Sequence, residues 1–299
     1  MTTSNSSLPT ASQSLRYKPL APRNLADKLL TILASSFALI CVAPLLLVLG
    51  YVVIKGFENL SPSLFTLMPE PPPSDGGGIR NAIFGTFTVT VIAMMISVPV
   101  GVGGGVYLAE YSRGGAFSKF IRFGTNVLSG VPSIIAGVFI YTTIVSTKII
   151  LGSRYSALAG GIALSILMIP TIIKTTDEGL KLVPDDLRRA SLGVGASQFV
   201  TVTRVTLPAA LTPIATGVVL AVARAAGETA PLIFTALFTF FSWDGVLNPI
   251  ASMSVLIYEF SLLPSDSHNQ LAWAASLVLV VFILGLNLFS RWLSRVAAR

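Results

Sequence analysis

An arginine and, four positions on, a glutamate stand in the apolar stretch ARAAGETAPL, residues 223 to 232: Arg224 and Glu228. At that spacing two side chains share one face of a helix and can pair, which lowers the desolvation cost of each. An arginine at mid-bilayer costs about 2.5–3.5 kcal/mol on insertion scales, so such a pair belongs in a protein interior or a wet cavity. Two roles fit these residues. The pair can be a structural bridge, or the planar guanidinium can offer bidentate donors to an oxyanion while Glu228 competes for it and closes the pair when the anion leaves. Release matters, because a fixed cation alone would trap its anion. Gly227 lets another helix approach closely, and Pro213 and Pro231 mark places where the helix can flex.

The elements that must position these charges are membrane helices. Of 299 residues, 53% are hydrophobic and 11% charged, with mean hydropathy +0.79, a balance that fits a polytopic membrane protein and not a soluble domain. Six apolar spans are expected at 29–54, 82–108, 121–147, 157–173, 209–241 and 271–290, most of them near the ~20 residues that cross ~30 Å of hydrocarbon. The fourth is the shortest. Three regions follow: a disordered cytoplasmic tail over 1–24, the first transmembrane helix with its outer loop over 25–80, and a core domain over 81–299 with five transmembrane helices and a cytoplasmic loop at 174–208. The first span begins too late and runs too long for a secretory signal.

Basic residues set the orientation. With the N-terminus inside, the inner segments hold fifteen (Arg16, Lys18, Arg23, Lys28, Arg113, Lys119, Arg122, Lys174, Lys181, Arg188, Arg189, Arg204, Arg291, Arg295, Arg299) and the outer ones four (Lys55, Arg80, Lys148, Arg154), which places both termini in the cytoplasm. The net charge of +7 is scattered over loops, so nucleic acid is not a partner; membrane lipid is. The outer segment 242–270 carries an apolar stretch near 249–263, too interrupted for a seventh span, and reads as interfacial or re-entrant.

Other chemistry is sparse. The glycines of SVPVGVGGGVYLAEY, 97 to 111, lack the Gly-Lys-Ser/Thr ending of a phosphate loop and read as helix packing; Pro132 in LSGVPSIIAGVFIY bends the third span. The chain has one histidine, His268, and one cysteine, Cys41, so neither a disulfide nor a cysteine-based metal site forms within it. Asp177, Glu178, Asp185 and Asp186 read as helix-start and solvated-face charges. No catalytic or metal site is expected, and this argues against a membrane-embedded phosphotransfer enzyme, which would want a nucleophile with a base or clustered carboxylates. A membrane anchor for a signalling complex is a further alternative.

The loop at 174–208 is ordered enough for two short helices. Pro184, Asp185 and Asp186 suit a helix start; Leu187, Ala190, Ser191 and Val194 make one small or apolar face; Gly193 and Gly195 permit a turn; Ser197 can cap a second helix through about Val205. The residues alone leave open a plain connector or a plug that docks into a partner's groove. The run RASLGVGASQFVTVTRVTLP, 189 to 208, resembles the EAA signature of the permease subunits of bacterial ABC importers. In that resemblance Arg189 takes the glutamate position, Ala190 and Ser191 the alanines, Gly195 the glycine, Val205 the isoleucine, and Leu207 with Pro208 the ending. Arg189 reverses the family's charge and Ser191 replaces an alanine.

ARAAGETAPL followed by IFTALF, GVPS at 130–133, VYLAEY at 106–111 and LAWAASLVLV at 271–280 further resemble the phosphate-specific importers, and their PstA family of permeases more than the PstC family. The resemblance implies the all-α, six-helix fold of type I importers in a bacterial plasma membrane, with inorganic phosphate passing Arg224 and Glu228. It also implies a second, PstC-like permease, an ATPase dimer (PstB-like) that uses ATP with magnesium and grips the 189–208 loop, and an extracytoplasmic phosphate-binding protein (PstS-like). No cofactor is expected on this chain itself. Molybdate or sulfate is the alternative cargo.

Overall fold

The computed structural model describes residues 22–74, 77–112, 114–147 and 155–297, without the side chains of 22, 23 and 293–297. The expected tail lies outside the described residues through residue 21. So do Arg16, Lys18, Arg113, Lys148, Arg154 and Arg299, and the side chains of Arg23 and Arg295. The described residues are helical apart from loops and one isolated bridge between Pro69 and Gly77. In chain order the helices are α1 (Pro22–Glu58), α2 (Pro62–Thr66), α3 (Arg80–Val106), α4 (Ala116–Gly130), α5 (Ser133–Ile140), α6 (Ala157–Lys181), α7 (Asp185–Gly193), α8 (Gln198–Thr201), α9 (Leu207–Ala209), α10 (Leu211–Ala226), α11 (Ala230–Thr235), α12 (Met253–Leu262) and α13 (Asp266–Ala297). Wider π-turns continue α3 over Tyr107–Tyr111, continue α5 over Tyr141–Val145, and join α8 to α9 over Val202–Thr206.

Among the described residues four helices are long and apolar enough to cross a membrane: Asn24–Glu58, Arg80–Tyr111, Ala157–Lys181 and Asp266–Trp292. Two bent pairs bring the number to six if each is one span: Ala116–Gly130 with Ser133–Val145 at 105°, and Gln198–Ala209 with Leu211–Ala226 at 68°. The third expected span is therefore broken, not merely bent. Val131 and Pro132 are extended at the break, because a residue before proline avoids the helical region, and Pro132 caps the start of α5.

Residues to Tyr51 and residues from Val52 form two compact units. In the first, α1 leaves Leu29, Ile40 and Leu47 exposed, the composition expected of a helix that faces lipid. The second is built on α3 against α6. α6 is the most buried of the four long spans, although the sequence made it the shortest. Its start is fixed by Ser156, whose side chain accepts from the Ala159 N–H at 3.1 Å. Val89 and Ala93 of α3, Leu164, Met168 and Ile172 of α6, and Ala221 and Ala225 of α10 share one core.

The glycines make the α3–α6 contact. A Cβ on Gly101 would lie 2.6 Å from Ile172 Cγ2, and one on Gly105 2.4 Å from Thr176 Cβ, so a pair spaced i, i+4 on α3 receives a pair spaced i, i+4 on α6. Helices in lipid gain little from apolar burial and associate through such close backbone approach. Gly105→Leu is expected to force the two helices apart at a cost of about 1–3 kcal/mol and to lower the thermal midpoint of the detergent-solubilised protein. Gly103→Leu, where an added Cβ meets nothing within 4 Å, should leave the midpoint unchanged.

Candidate functional site

α10 runs only to Ala226, and Gly227 is its C-cap. The expected span 209–241 thus stops fifteen residues early, and Arg224 and Glu228 do not share a helix face. The chain closes with tight turns, Gly227 N–H to Arg224 O at 3.2 Å and Glu228 N–H to Ala225 O at 3.1 Å, and restarts as α11 with Pro231 in its first turn. Proline there needs no intrahelical donor, and glycine before it tolerates the stop. The two charges meet across this break, Arg224 Nε lying 3.7 Å from Glu228 Oε1.

Their exposures differ. The Arg224 side chain is 67% exposed and that of Glu228 18%, so the cation projects from the chain while the carboxylate sits behind it. Glu228 is anchored by its backbone, whose carbonyl accepts from Ser254 Oγ at 2.9 Å. Gly227 faces α13, where a Cβ would come within 3.3 Å of Ile283 Cδ1. Pro231 is buried against α5, and a Cβ on Gly137 would lie 2.6 Å from Pro231 Cα. Arg224 in a final helical turn suits the negative end of the helix dipole. An ion pair of 3.7 Å without a hydrogen bond leaves guanidinium donors for another acceptor.

The segment after α11 is largely non-helical through Ser252, and neighbours take its backbone groups. Ala157 N–H donates to Asn248 O (3.1 Å), Leu158 N–H to Val246 O (2.9 Å), Ile250 N–H to Ala236 O (3.2 Å) and Met253 N–H to Thr86 Oγ1 (2.8 Å). The first two bonds also cap α6, whose opening N–H groups have no partner inside the helix. Where the chain crosses α3, a Cβ on Gly85 would overlap Ala251 O. The interrupted apolar stretch forms α12, with Met253, Val255, Leu256 and Phe260 buried. His268 is a buried structural residue, bonded to Ser265 Oγ at 2.9 Å and to Glu70 O at 3.0 Å.

The loop between α6 and α10 holds the two short helices the sequence predicts. Pro184 caps α7, Asp185 and Asp186 lie in its first turn, Gly195 has φ +88°, and Ser197 caps α8 by accepting from Val200 N–H at 3.3 Å. Arg189 and Ala190 are exposed. Ser191 turns toward the second helix, its Oγ 2.9 Å from Thr201 Oγ1, so the serine replacing alanine ties the helix pair together. Val205 and Leu207 are partly buried, and Pro208 is exposed. The outward apolar surface is Val194 at 85%, with Leu182, Leu187, Leu192 and Phe199.

Sequence reasoning missed the clamp that holds this loop. Arg188 Nη2 donates to Glu110 Oε1 at 2.9 Å, Nε reaches both Glu110 oxygens at 3.2 and 3.3 Å, and the remaining donors take Leu180 O (2.7 Å), Val183 O (2.6 Å) and Asp185 Oδ1 (3.1 Å). One guanidinium thus joins the end of α3, the end of α6 and the start of α7. Hydrogen bonds donated to Glu110 hold the Arg188 pKa above the ordinary arginine value, outweighing burial, which acts the other way. Gln198 Nε2 adds a bond to Glu110 O at 2.8 Å.

A second correction concerns Asp177. It is not a solvated charge: at 4% exposure it accepts from Lys181 at 2.8 Å and from Arg122 through both oxygens. Because a partner 55 residues away completes the bridge, spacing gave no signal of it. Glu178 is exposed as expected. Among the described residues no group of three or more His, Cys, Asp or Glu side chains is placed to hold a metal.

Residues 101–299 match the family described as binding-protein-dependent transport system inner membrane component. The chain is similar to the phosphate transport system permease protein PstA of Yersinia pestis, 38% identical over 92% of each chain. It is likewise similar to PstA of Haemophilus influenzae, 43% identical over 82% of this chain and 85% of the other. Among solved structures, one of a bacterial ABC transporter involved in the import of alginate shares the fold at TM-score 0.65, with 15% identity over 91% of this chain and 98% of that one. The MetNI methionine ABC transporter follows at TM-score 0.58, 19% identity, and 74% and 95% coverage.

The clamp carries its own expectation. Glu110→Gln and Arg188→Gln should each loosen α7, accelerating amide exchange over 185–193 about tenfold, as a loss of ~1.4 kcal/mol would, while exchange in α3 over 84–98 stays unchanged.

Proposed function

The chain belongs to the binding-protein-dependent inner membrane transport components, and from that premise we propose that it is the permease subunit of an ATP-driven importer that moves inorganic phosphate through a bacterial plasma membrane. The observation that carries this reading is Arg224, an outward-facing guanidinium at a helix break, held only at 3.7 Å by Glu228, in a chain whose close relatives are named phosphate permeases. Phosphate oxygens accept bidentate donation from a guanidinium that stays charged at every working pH. On arrival the anion displaces Glu228; on departure the ion pair closes again and keeps the site from becoming a trap.

Arg224 faces out of the single chain, so a second, PstC-like permease completes the route. A PstS-like binding protein delivers phosphate outside, and both termini lie in the cytoplasm, in keeping with the basic residues gathered on that side. The exposed apolar ridge of Val194 and Phe199, beside Arg189 and Ala190, docks into a PstB-like ATPase dimer. ATP with magnesium is used there, and this chain holds no cofactor. Rigid-body motion of the two permeases then exposes the route to each side in turn, and the Arg188 clamp carries the movement of α7 into α3 and α6.

In vesicles containing all the subunits, Arg224→Gln should reduce phosphate uptake about tenfold or more, the size of a lost charge-assisted hydrogen bond, with ATPase association intact. Near-normal uptake by both Arg224→Gln and Glu228→Gln would make the pair a scaffold. Competition by sulfate or molybdate as strong as that by unlabelled phosphate would assign the cargo to another oxyanion. Val194→Asp with Phe199→Asp should abolish co-purification of the ATPase; retention of the ATPase would place docking elsewhere.

A further inference from the structure

Between α4, α6 and the π-turn after α3 lies a cleft of about 310 Å³, at the end of α6 that leads into the α7–α8 loop. Arg122, Lys174 and Lys181 line it together with Asp177, Glu178 and Asn126. Cations outnumber carboxylates there, and they are unevenly paired. Buried Asp177 is satisfied by Arg122 and Lys181. Lys174 is half-buried and has one acceptor, the neutral hydroxyl of Ser129 on α4 at 3.0 Å. Glu178 stands four residues further along α6, at a spacing that favours an ion pair. Yet among the described residues it forms none with Lys174, and it stays exposed. Asn126, exposed on the α4 wall, likewise has no side-chain partner among the described residues.

A lysine withdrawn from water ordinarily keeps a counter-ion. Lys174 has two N–H donors beyond the one Ser129 accepts, and they line the same open volume as the Asn126 amide and the unpaired carboxylate of Glu178. The cleft therefore offers donors to an oxyanion together with one acceptor that would repel a fully ionised anion, and this combination suits an anion that still carries a hydroxyl. At neutral pH orthophosphate keeps at least one P–OH, whereas sulfate, molybdate and a phosphodiester headgroup keep none. A site that hydrogen-bonds a ligand's hydroxyl rejects the analogue that lacks it. We propose that the cleft is a second orthophosphate site, in which Lys174 and Asn126 donate to phosphate oxygens and Glu178 accepts from the P–OH. It shares no residue with the Arg224–Glu228 pair. It rests on the phosphate reading of the chain in one respect, the choice of orthophosphate as the protonated oxyanion.

The test uses the complete importer in nanodiscs of choline lipid, treated with an amine-acetylating reagent. Mass spectrometry follows modification of Lys174 and, as a control, of Lys119, an exposed lysine of α4 outside the cleft. Orthophosphate at about ten times its half-protecting concentration should slow acetylation of Lys174 about tenfold. The same concentration of sulfate should leave Lys174 unprotected, and neither anion should alter Lys119. Glu178→Gln, at an exposed position, should let sulfate protect as well as phosphate does, while Arg224→Gln should leave protection by phosphate intact. Equal protection by phosphate and sulfate in the unaltered importer would mean an adventitious ion only. Protection by neither would leave the cleft without a ligand, and protection by phosphatidylglycerol without added phosphate would make it a lipid site; each of these overturns the proposal. Uptake by the same importer separates this inference from the cargo: phosphate import without protection sinks the cleft alone, and sulfate import in place of phosphate sinks the cargo reading.

Discussion

In hydrocarbon a helix can stop only where something other than water receives the backbone groups it leaves open. That constraint shapes the second half of this protein. α10 ends at Ala226, near the middle of an apolar run, and the chain then runs largely without helix through Ser252. It does so because Ala157, Leu158, Ile250 and Met253 find backbone or hydroxyl partners across it, and because Gly85 lets it lie against α3. At the break itself the local turns through Gly227 and Glu228 leave Arg224 and Glu228 across a gap instead of one above the other on a single helix face.

The same geometry distinguishes the two charge systems. Arg188 has each part of its guanidinium engaged at 2.6–3.3 Å, so it acts as a rigid joint. Arg224 has one carboxylate at 3.7 Å and an outward aspect, so it can exchange partners. A strong, fully bonded clamp suits the transmission of movement between α7 and the ends of α3 and α6. A weak, exposed pair suits a site that must bind and release. Between the clamp and the exposed pair lie α3, α6 and α10, packed closely at Gly101, Gly105 and Gly217.

Much of this was legible in the sequence. Apolar runs of sufficient length gave the all-helical membrane class, because crossing hydrocarbon demands length and apolarity and little else. The helix–turn–helix at 184–208 was readable down to its caps, since proline, paired aspartates, a left-handed glycine and a capping serine act on their own neighbours in the chain. The glycines of the second span announced close packing because a missing side chain has few other uses in a lipid-bathed helix.

What only tertiary structure decided depends on partners distant in sequence. Gly227 read as a place for another helix to approach and Pro231 as a place to flex, but the course of the chain beyond them depends on donors from α6 and acceptors in α3 and the 246–248 segment, which no local pattern specifies. Asp177 looked like a surface charge because Arg122, 55 residues away, is absent from any window around it. Arg188 looked like one more inward-side cation, although its burial against Glu110, 78 residues earlier, makes it the joint of the 184–208 loop. Local rules fix where helices can start, stop and approach; which charges are joints and which stay exchangeable is fixed only when the fold sets how much room and how many donors each one meets.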